Sequence, residues 1–483
     1  MNLETGFDRV LIANRGEIAL RAVRVCRALG LQTVAVHSAA DAAQPHVFAA
    51  DRAVCVGPAA AQRSYLNAAA LVHVALETGC GAIYPGYGFL AENAEFAELC
   101  AANGLKFIGP SAEAIRTMGD KSRARETAEG LGVPVVPGSP RAYDTLAEAE
   151  EAAAAVGYPM LLKARSGGGG RGMRIVESAD GFARAFSDAH REAEAAFDDG
   201  AIYLERFFAK VRHIEVQVLG DGAGGSVEFD ERDCSVQRRH QKLVEESPSP
   251  VVGASLRQRL KEAAGKLTRG IRYEGAGTLE FILDPATQEF FFIEMNTRIQ
   301  VEHTVTEERI GLDLIAAQIR IARGEGLDEA AAAAAGQGHA IEYRINAEDW
   351  QRDFQPAPGE LTGWRVPAGP GLRLDAASCR GQRVSPFYDS MIAKLIVHGA
   401  DREQAIARSR AALAGFGVEG VATTIGFHRM LLEHDDFLAN RVHTRWIETE
   451  LNAPPAAPEA SDDAPETPGR PAPAATPQET EQA

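Results

Sequence analysis

The stretch Lys163–Ser178, KARSGGGGRGMRIVES, decides how the chain is read. Its glycines at 167, 169 and 172 satisfy GxGxxG, the fingerprint of dinucleotide-binding folds. That fingerprint works only where a helix opens directly after it, so that the helix N-terminus meets pyrophosphate. Here MRIVES follows, and its Ile175 and Val176 read as a strand. A Walker A loop ends in GK[ST], whereas Gly172 precedes Met173. The remaining form is strand–glycine loop–strand, with Lys163 before the loop and Arg171 within it. Backbone N–H groups without shielding side chains close over phosphate oxygens, and a lysine adds a point charge. A surface hairpin that merely turns has the same composition, so the loop alone leaves both readings open.

The surroundings are α/β. DRVLIA predicts a strand, and NRGEIALRAVRVCRALG sets Ile18, Ala22, Cys26 and Leu29 near helical spacing, closed by Gly30 before the strand LQTVAVHS. Further rounds at Tyr65–Pro85 and Ala94–Pro110 predict a parallel sheet with crossover helices over about the first 115 residues. An alanine-rich helix (Thr145–Val156), the strand YPMLLKA, the glycine loop and a helix over Asp180–Phe197 come next. From Val211 the pattern turns antiparallel, with HIEVQVLGDG and SVEFDERD around a glycine turn. ASLRQRLKEAAGKLTRGI is an amphipathic helix, and a mixed α+β region runs to about Thr449.

Bulk properties narrow the class. The 483 residues carry a net charge of -17 and suit roughly three domains. From Ala453 onward six acids face one arginine among eight prolines, so residues 453–483 are expected to form a disordered tail. Without it the charge is still about -12, which argues against nucleic acid or an anionic membrane as partner. The six cysteines form no CxxC pair, and no signal peptide or spanning stretch is present, so a cytoplasmic protein is expected.

TLEFILDPATQEFFFIEMN reads as two strands around Asp284–Pro285. Pairing Leu283 with Phe291 sets Glu280 opposite Glu294, with Cβ atoms about 5 Å apart. Opposed carboxylates call for a cation, and Mg²⁺ beside phosphates uses such a pair; in a different register both would face solvent. Glu294, Asn296, Arg298, Gln300 and Glu302 then recur at period two, one face of an extended segment. That row is either a solvated strand or an active-site face offering a metal ligand, an anion-binding arginine and a general base. CSVQRRHQKLVEE holds Arg238, Arg239, His240 and Lys242, a charge-balanced loop or an anion site. His213 alone reads as an ordinary strand histidine.

Together these segments resemble biotin carboxylase, the ATP-grasp subunit of biotin-dependent carboxylases. The resemblance spans residues 7 to 447 and rests on IANRGEIALR, PGYGFLAEN, MGDK, GGGGRGM, ERDCSVQRRHQK, FIEMNTRIQVEH, YRINAED and YDSMIAKL. It implies a Rossmann-like domain (1–117), an ATP-grasp domain (118–338) with a mobile glycine-rich lid (about 135–204), and a C-terminal α+β domain (339–450). It also implies an ATP-dependent ligase that carboxylates carrier-bound biotin from bicarbonate through carboxyphosphate, the first half-reaction of an acetyl-CoA or related acyl-CoA carboxylase. Lys121, Lys163 and the loop glycines Gly168, Gly169 and Gly170 would hold ATP phosphates. Glu205, Arg206, Phe207 and Phe208 would meet adenine, with His213, Gln237 and His240 also at the nucleotide. Glu280, Glu294 and Asn296 would bind Mg²⁺ or Mn²⁺; Lys242, Arg298, Gln300 and Val301 would hold bicarbonate. Glu302 would be the base, Arg344 would stabilise the biotin anion, and Tyr87 would line the biotin side. A homodimer is implied as well. The chain has no AMKM-type biotinylation motif, so carrier and carboxyltransferase are expected as separate chains.

Departures from the family pattern are Tyr84 in place of histidine, Arg165–Ser166 in place of Ser-Gly, Thr304 in place of proline, and EERIGLDL without its Thr-Gly. The rival readings are another acyl-phosphate ligase and a non-catalytic paralogue. The intact Lys121, Lys163, Lys242, Glu302 and Arg344 weigh against the second.

Overall fold

The computed structural model describes residues 6–165, 173–197, 199–327 and 335–451. Near the N-terminus five parallel strands lie in the order 52–57, 32–38, 9–12, 82–84 and 106–107. Helix Gly16–Ala28 buries Ile18, Ala22 and Cys26 against this sheet; Leu29, at the C-cap, packs partly buried against the same cluster. Gly30 takes φ +73°, which ends the helix at no steric cost to a side chain.

An eight-stranded sheet forms the centre, in the order 289–296, 274–284, 212–221, 226–238, 241–247, 339–346, 391–399 and 372–376. It continues without a break past residue 338, through the antiparallel pairing of Glu245 with Glu342 and Val244 with Tyr343. Helix Ala254–Gly270 covers one face, burying Leu256, Leu260, Ala264 and Leu267 against Val216, Val218 and Phe281. The expected hairpin of TLEFILDPATQEFFFIEMN is present, with one correction. Leu283 pairs with Phe290, not Phe291, yet Glu280 still faces Glu294. A β-bulge between Glu280 and Phe281 reconciles the two pairings. Phe290 and Phe292 both enter the core, and the extra residue, Ile293, points outward.

A smaller sheet orders the strands 173–176, 160–164 and 202–206, backed by helices Leu146–Val156 and Ala179–Phe197. Lys163 pairs with Met173 and Met160 with Val176. A strand rather than a helix therefore follows the glycine loop, which excludes the dinucleotide fingerprint. The loop itself, with Ser166, Gly168, Gly169, Gly170 and Arg171, lies outside the described residues, as does the tail 453–483.

Candidate active site

The floor of the site is the solvent-shielded centre of the large sheet, where charged residues replace apolar ones. Lys242, paired in register with Gln237, extends its ammonium among three carboxylates. It donates to Glu280 at 2.9 Å, to Glu302 at 2.7 Å and also to Glu215. Arg232 lies behind them, fully buried, with donors to Glu215, Gln217, Thr278, Thr306 and Gln300. Buried charges persist only when paired and hydrogen-bonded, and these are.

The carboxylates titrate differently. Burial alone would raise Glu302, but Lys242 and Arg344 outweigh it and hold it below the ordinary range, so it is ionised at neutral pH. Burial likewise works against ionised Glu280, yet Lys242 and His213 hold it well below that range. Glu294 is raised, by burial and then by Glu280 across the hairpin; Lys121 opposes that shift. His213 Nε2 sits 3.2 Å from Glu215 and 3.0 Å from Glu280, and these carboxylates overcome its burial to lift it to about 9. His213 is thus part of the charged floor, not the ordinary strand histidine its sequence neighbours suggest.

The period-two row is only partly extended. The strand ends at Asn296, and residues 297–302 bend into helix His303–Ile310. The side chains converge all the same. Asn296 and Gln300 each donate to Glu280 at 2.7 Å, and Gln300 accepts from Arg232 at 2.7 Å. Arg298 reaches Asn296 at 2.9 Å and Glu92 at 2.8 Å. Val301 gives its carbonyl to Lys394 at 2.7 Å. Arg344 Nη2 donates to Glu302 at 3.0 Å, on the oxygen Lys242 does not use, and Arg344 Nε donates to Glu245 at 2.5 Å. Tyr87 donates to Glu17, which in turn lies 3.2 Å from Lys394.

On the small sheet, Lys163 pairs with Glu205, and Phe208, just beyond its last strand, stacks on Phe291 with ring centroids 5.3 Å apart. Arg206 lies over Phe208, and the Phe207 N–H donates to Pro159 O at 2.9 Å. Gln237 is buried on the strand beside Lys242. His240 is not drawn in. It sits at the exposed hairpin tip with φ +67° and has no hydrogen bond or ion pair among the described residues. Arg238 and Arg239 both pair with Asp353, so of the RRHQK cations only Lys242 enters the site. Sequence reasoning passed over Glu92, Glu215, Arg232, Glu245 and Lys394. All five stand inside quoted stretches, Glu215 two residues from His213 in HIEVQVLGDG.

The donor set at Glu280, Glu294 and Asn296 is all oxygen, with two carboxylates opposed and one of them raised by the other. That chemistry fits a hard divalent cation beside phosphate.

A small antiparallel sheet carrying Lys163 beside a large antiparallel sheet with a carboxylate-and-lysine floor defines an ATP-grasp protein. Residues 120–330 match the family model of the ATP-binding domain of the carbamoyl-phosphate synthase L chain. Residues 6–115 and 342–449 match the N-terminal and C-terminal domains of biotin carboxylase. The biotin carboxylase of Nostoc sp. is 51% identical over 446 residues, covering 92% of this chain and 99% of the relative. The chain belongs to the biotin carboxylase family. Among solved structures, the Campylobacter jejuni biotin carboxylase–β,γ-ATP complex is 45% identical with a TM-score of 0.85, covering 92% of this chain and 99% of that one. The biotin carboxylase domain dimer of Hydrogenobacter thermophilus 2-oxoglutarate carboxylase, with MgADP, ADP and bicarbonate, is 45% identical with a TM-score of 0.82; coverage is 92% and 97%.

Proposed function

We propose that the chain carboxylates biotin on a carrier protein, consuming ATP and bicarbonate. The observation that carries this reading is the Glu302 carboxylate, buried and ionised, with Lys242 on one oxygen and Arg344 on the other. Lys242, Arg298, Gln300 and the Val301 backbone hold bicarbonate against Glu302. Glu302 takes its proton, which turns a poor nucleophile into a competent one. The carbonate oxygen attacks the γ-phosphoryl group, releasing ADP and forming carboxyphosphate; Lys121 and Lys163 balance the phosphate charge. Carboxyphosphate breaks to CO₂ and phosphate beside biotin; the released phosphate takes the N1′ proton, and N1′ attacks CO₂ to give N1′-carboxybiotin. Arg344 offsets negative charge on the ureido oxygen, next to Tyr87. Mg²⁺ or Mn²⁺ held by Glu280, Glu294 and Asn296 would supply further neutralisation of the phosphates.

Glu205 to Phe208, His213 and Gln237 make the nucleotide side in this reading. The carrier and carboxyltransferase act in trans, the chain is a homodimer, and it works in the cytoplasm. Among the described residues no helix is long and apolar enough to cross a membrane. ADP release from Mg-ATP and bicarbonate tests the reading. Free biotin or a biotinylated carrier raises it; a folded protein indifferent to biotin would refute the proposal.

A further inference from the structure

Behind Arg344, outside the residues assigned above, two glutamates face each other. Glu245 on strand Gln241–Ser247 and Glu342 on strand His339–Asn346 are directly paired in register. Both are fully buried. Glu245 Oε1 accepts from Arg344, and Glu342 Oε2 accepts from the Thr304 hydroxyl. The other oxygens, Glu245 Oε2 and Glu342 Oε1, are buried with no partner among the described residues. Leaving a buried polar atom unpaired costs about 1–3 kcal/mol, more for a charged one, so two such atoms on opposed carboxylates demand an explanation.

The cations nearby do not supply it. Arg344 is divided between Glu245 and Glu302. Lys394 donates to Val301 O and lies beside Glu17. Lys242 serves Glu215, Glu280 and Glu302. The Tyr87 hydroxyl is committed to Glu17. Asp375 and Arg373, which also act on Lys394, pair with each other. One shared proton satisfies both orphans at once, because a carboxylic acid donates where a carboxylate only accepts.

We infer that Glu245 and Glu342 share a single proton, carried on Glu342 Oε1 and donated to Glu245 Oε2, and that this pair positions and charge-balances Arg344. The direction follows from the partners. Arg344 hydrogen-bonds Glu245 directly, whereas among the described residues the side-chain donor to Glu342 is the neutral Thr304 hydroxyl, with Lys394 and Arg344 acting on it only through space. Burial pushes both groups above the ordinary carboxylate range; Arg344 opposes the shift at Glu245, Lys394 and then Arg344 oppose it at Glu342, and Glu342 is raised further by Glu245. With one proton in place Glu245 brings a single negative charge to Arg344, which keeps its remaining field for an anion in front of it. When the proton leaves, two carboxylates stand behind Arg344, and its hold on a developing oxyanion weakens. The proton is retained, not transferred, so no bond to substrate forms or breaks here.

The functional half of this inference rests on the reading of Arg344 as the biotin-side cation, and Glu342→Gln tests both halves. Glutamine keeps the size and the N–H donor but cannot ionise. The infrared difference between wild type and Glu342→Gln at about pH 7 should show the carbonyl band of one protonated carboxylic acid in wild type, lost in the variant. A difference spectrum without that band overturns the shared proton, whatever the turnover. In biotin-dependent ADP release, Glu342→Gln should stay within about twofold of wild type near neutrality and lose the alkaline fall in kcat/KM for biotin. An alkaline limb unmoved in the variant overturns the positioning role. Thr304→Val supplies the second variant. Removing a donor to the ionised form should move the alkaline limb upward, and a downward move counts against the assignment. Absence of biotin-dependent turnover in wild type would refute the proposed reaction and leave the infrared result to decide the proton.

Discussion

Arg232→Met tests how the floor of the site is held. The Arg232 guanidinium has no exposure and makes six hydrogen bonds: two to Glu215 and one each to Gln217, Thr278, Thr306 and Gln300. Methionine is apolar and long enough to fill much of the space but leaves Glu215 with Lys242 and His213 as its remaining charge partners. Breaking a buried pair from one side costs about 3–5 kcal/mol, against about 0–1 kcal/mol for an exposed pair. The threonine hydroxyls can turn to other acceptors, so the loss should lie in the buried-pair range, near 4 kcal/mol. Urea unfolding of wild type, Arg232→Met, Glu215→Gln and the double variant measures it. The double variant should be less destabilised than the singles sum to, by at least about 1 kcal/mol, since it strands no charge. A cost for Arg232→Met below about 1 kcal/mol would refute the reasoning, because the pair would then behave as if solvated.

Glu302→Gln should lower biotin-dependent ADP release by about 10²–10⁴-fold while leaving nucleotide affinity nearly unchanged, read by turnover and by nucleotide titration. Glu280→Gln removes one of two facing carboxylates, so the Mg²⁺ concentration for half-maximal turnover should rise; chelation should abolish turnover in wild type. Glu342 is raised from an ordinary 4.5 to about 8, so between these values the folded chain holds a proton that the unfolded chain has lost. Its stabilising contribution is full below 4.5 and is lost as pH rises to about 8, at up to about 1.4 kcal/mol per pH unit. Urea midpoints across that range should fall less in Glu342→Gln than in wild type. Arg165, exposed and bidentate to Asp199 at 2.9 and 2.7 Å, is held beside the end of its strand, so Arg165→Ser should leave the urea midpoint and the KM for ATP nearly unchanged.

What the sequence made legible was local. Glu280 and Glu294 belong to one hairpin, so counting back from Asp284–Pro285 brings them close, and the bulge after Glu280 makes them directly opposite. The finer register was not readable, because FFFI offers no alternation to show that Ile293 bulges out. The strand after the glycine loop was visible in MRIV, and it removed the dinucleotide reading without reference to the loop's own conformation. The floor was only half visible. Lys242 and Glu302 stood out within motifs, but the groups that hold them come from far along the chain. Glu215 lies 27 residues from Lys242, and Glu92 lies 206 from Arg298. No periodicity reports such a contact; only strand order does. Thr304 and Glu342, 38 residues apart, form a pair for the same reason.

The central claim is that Glu302, set between Lys242 and Arg344, prepares bicarbonate for carboxyl transfer to biotin. Its most direct measurement is the incorporation of labelled bicarbonate into biotin, or a biotinylated carrier, in the presence of Mg-ATP. The account predicts acid-labile label on biotin, dependent on ATP and lost in Glu302→Gln. Label transferred equally well by Glu302→Gln, or no label on biotin from a folded protein that binds ATP, would contradict it.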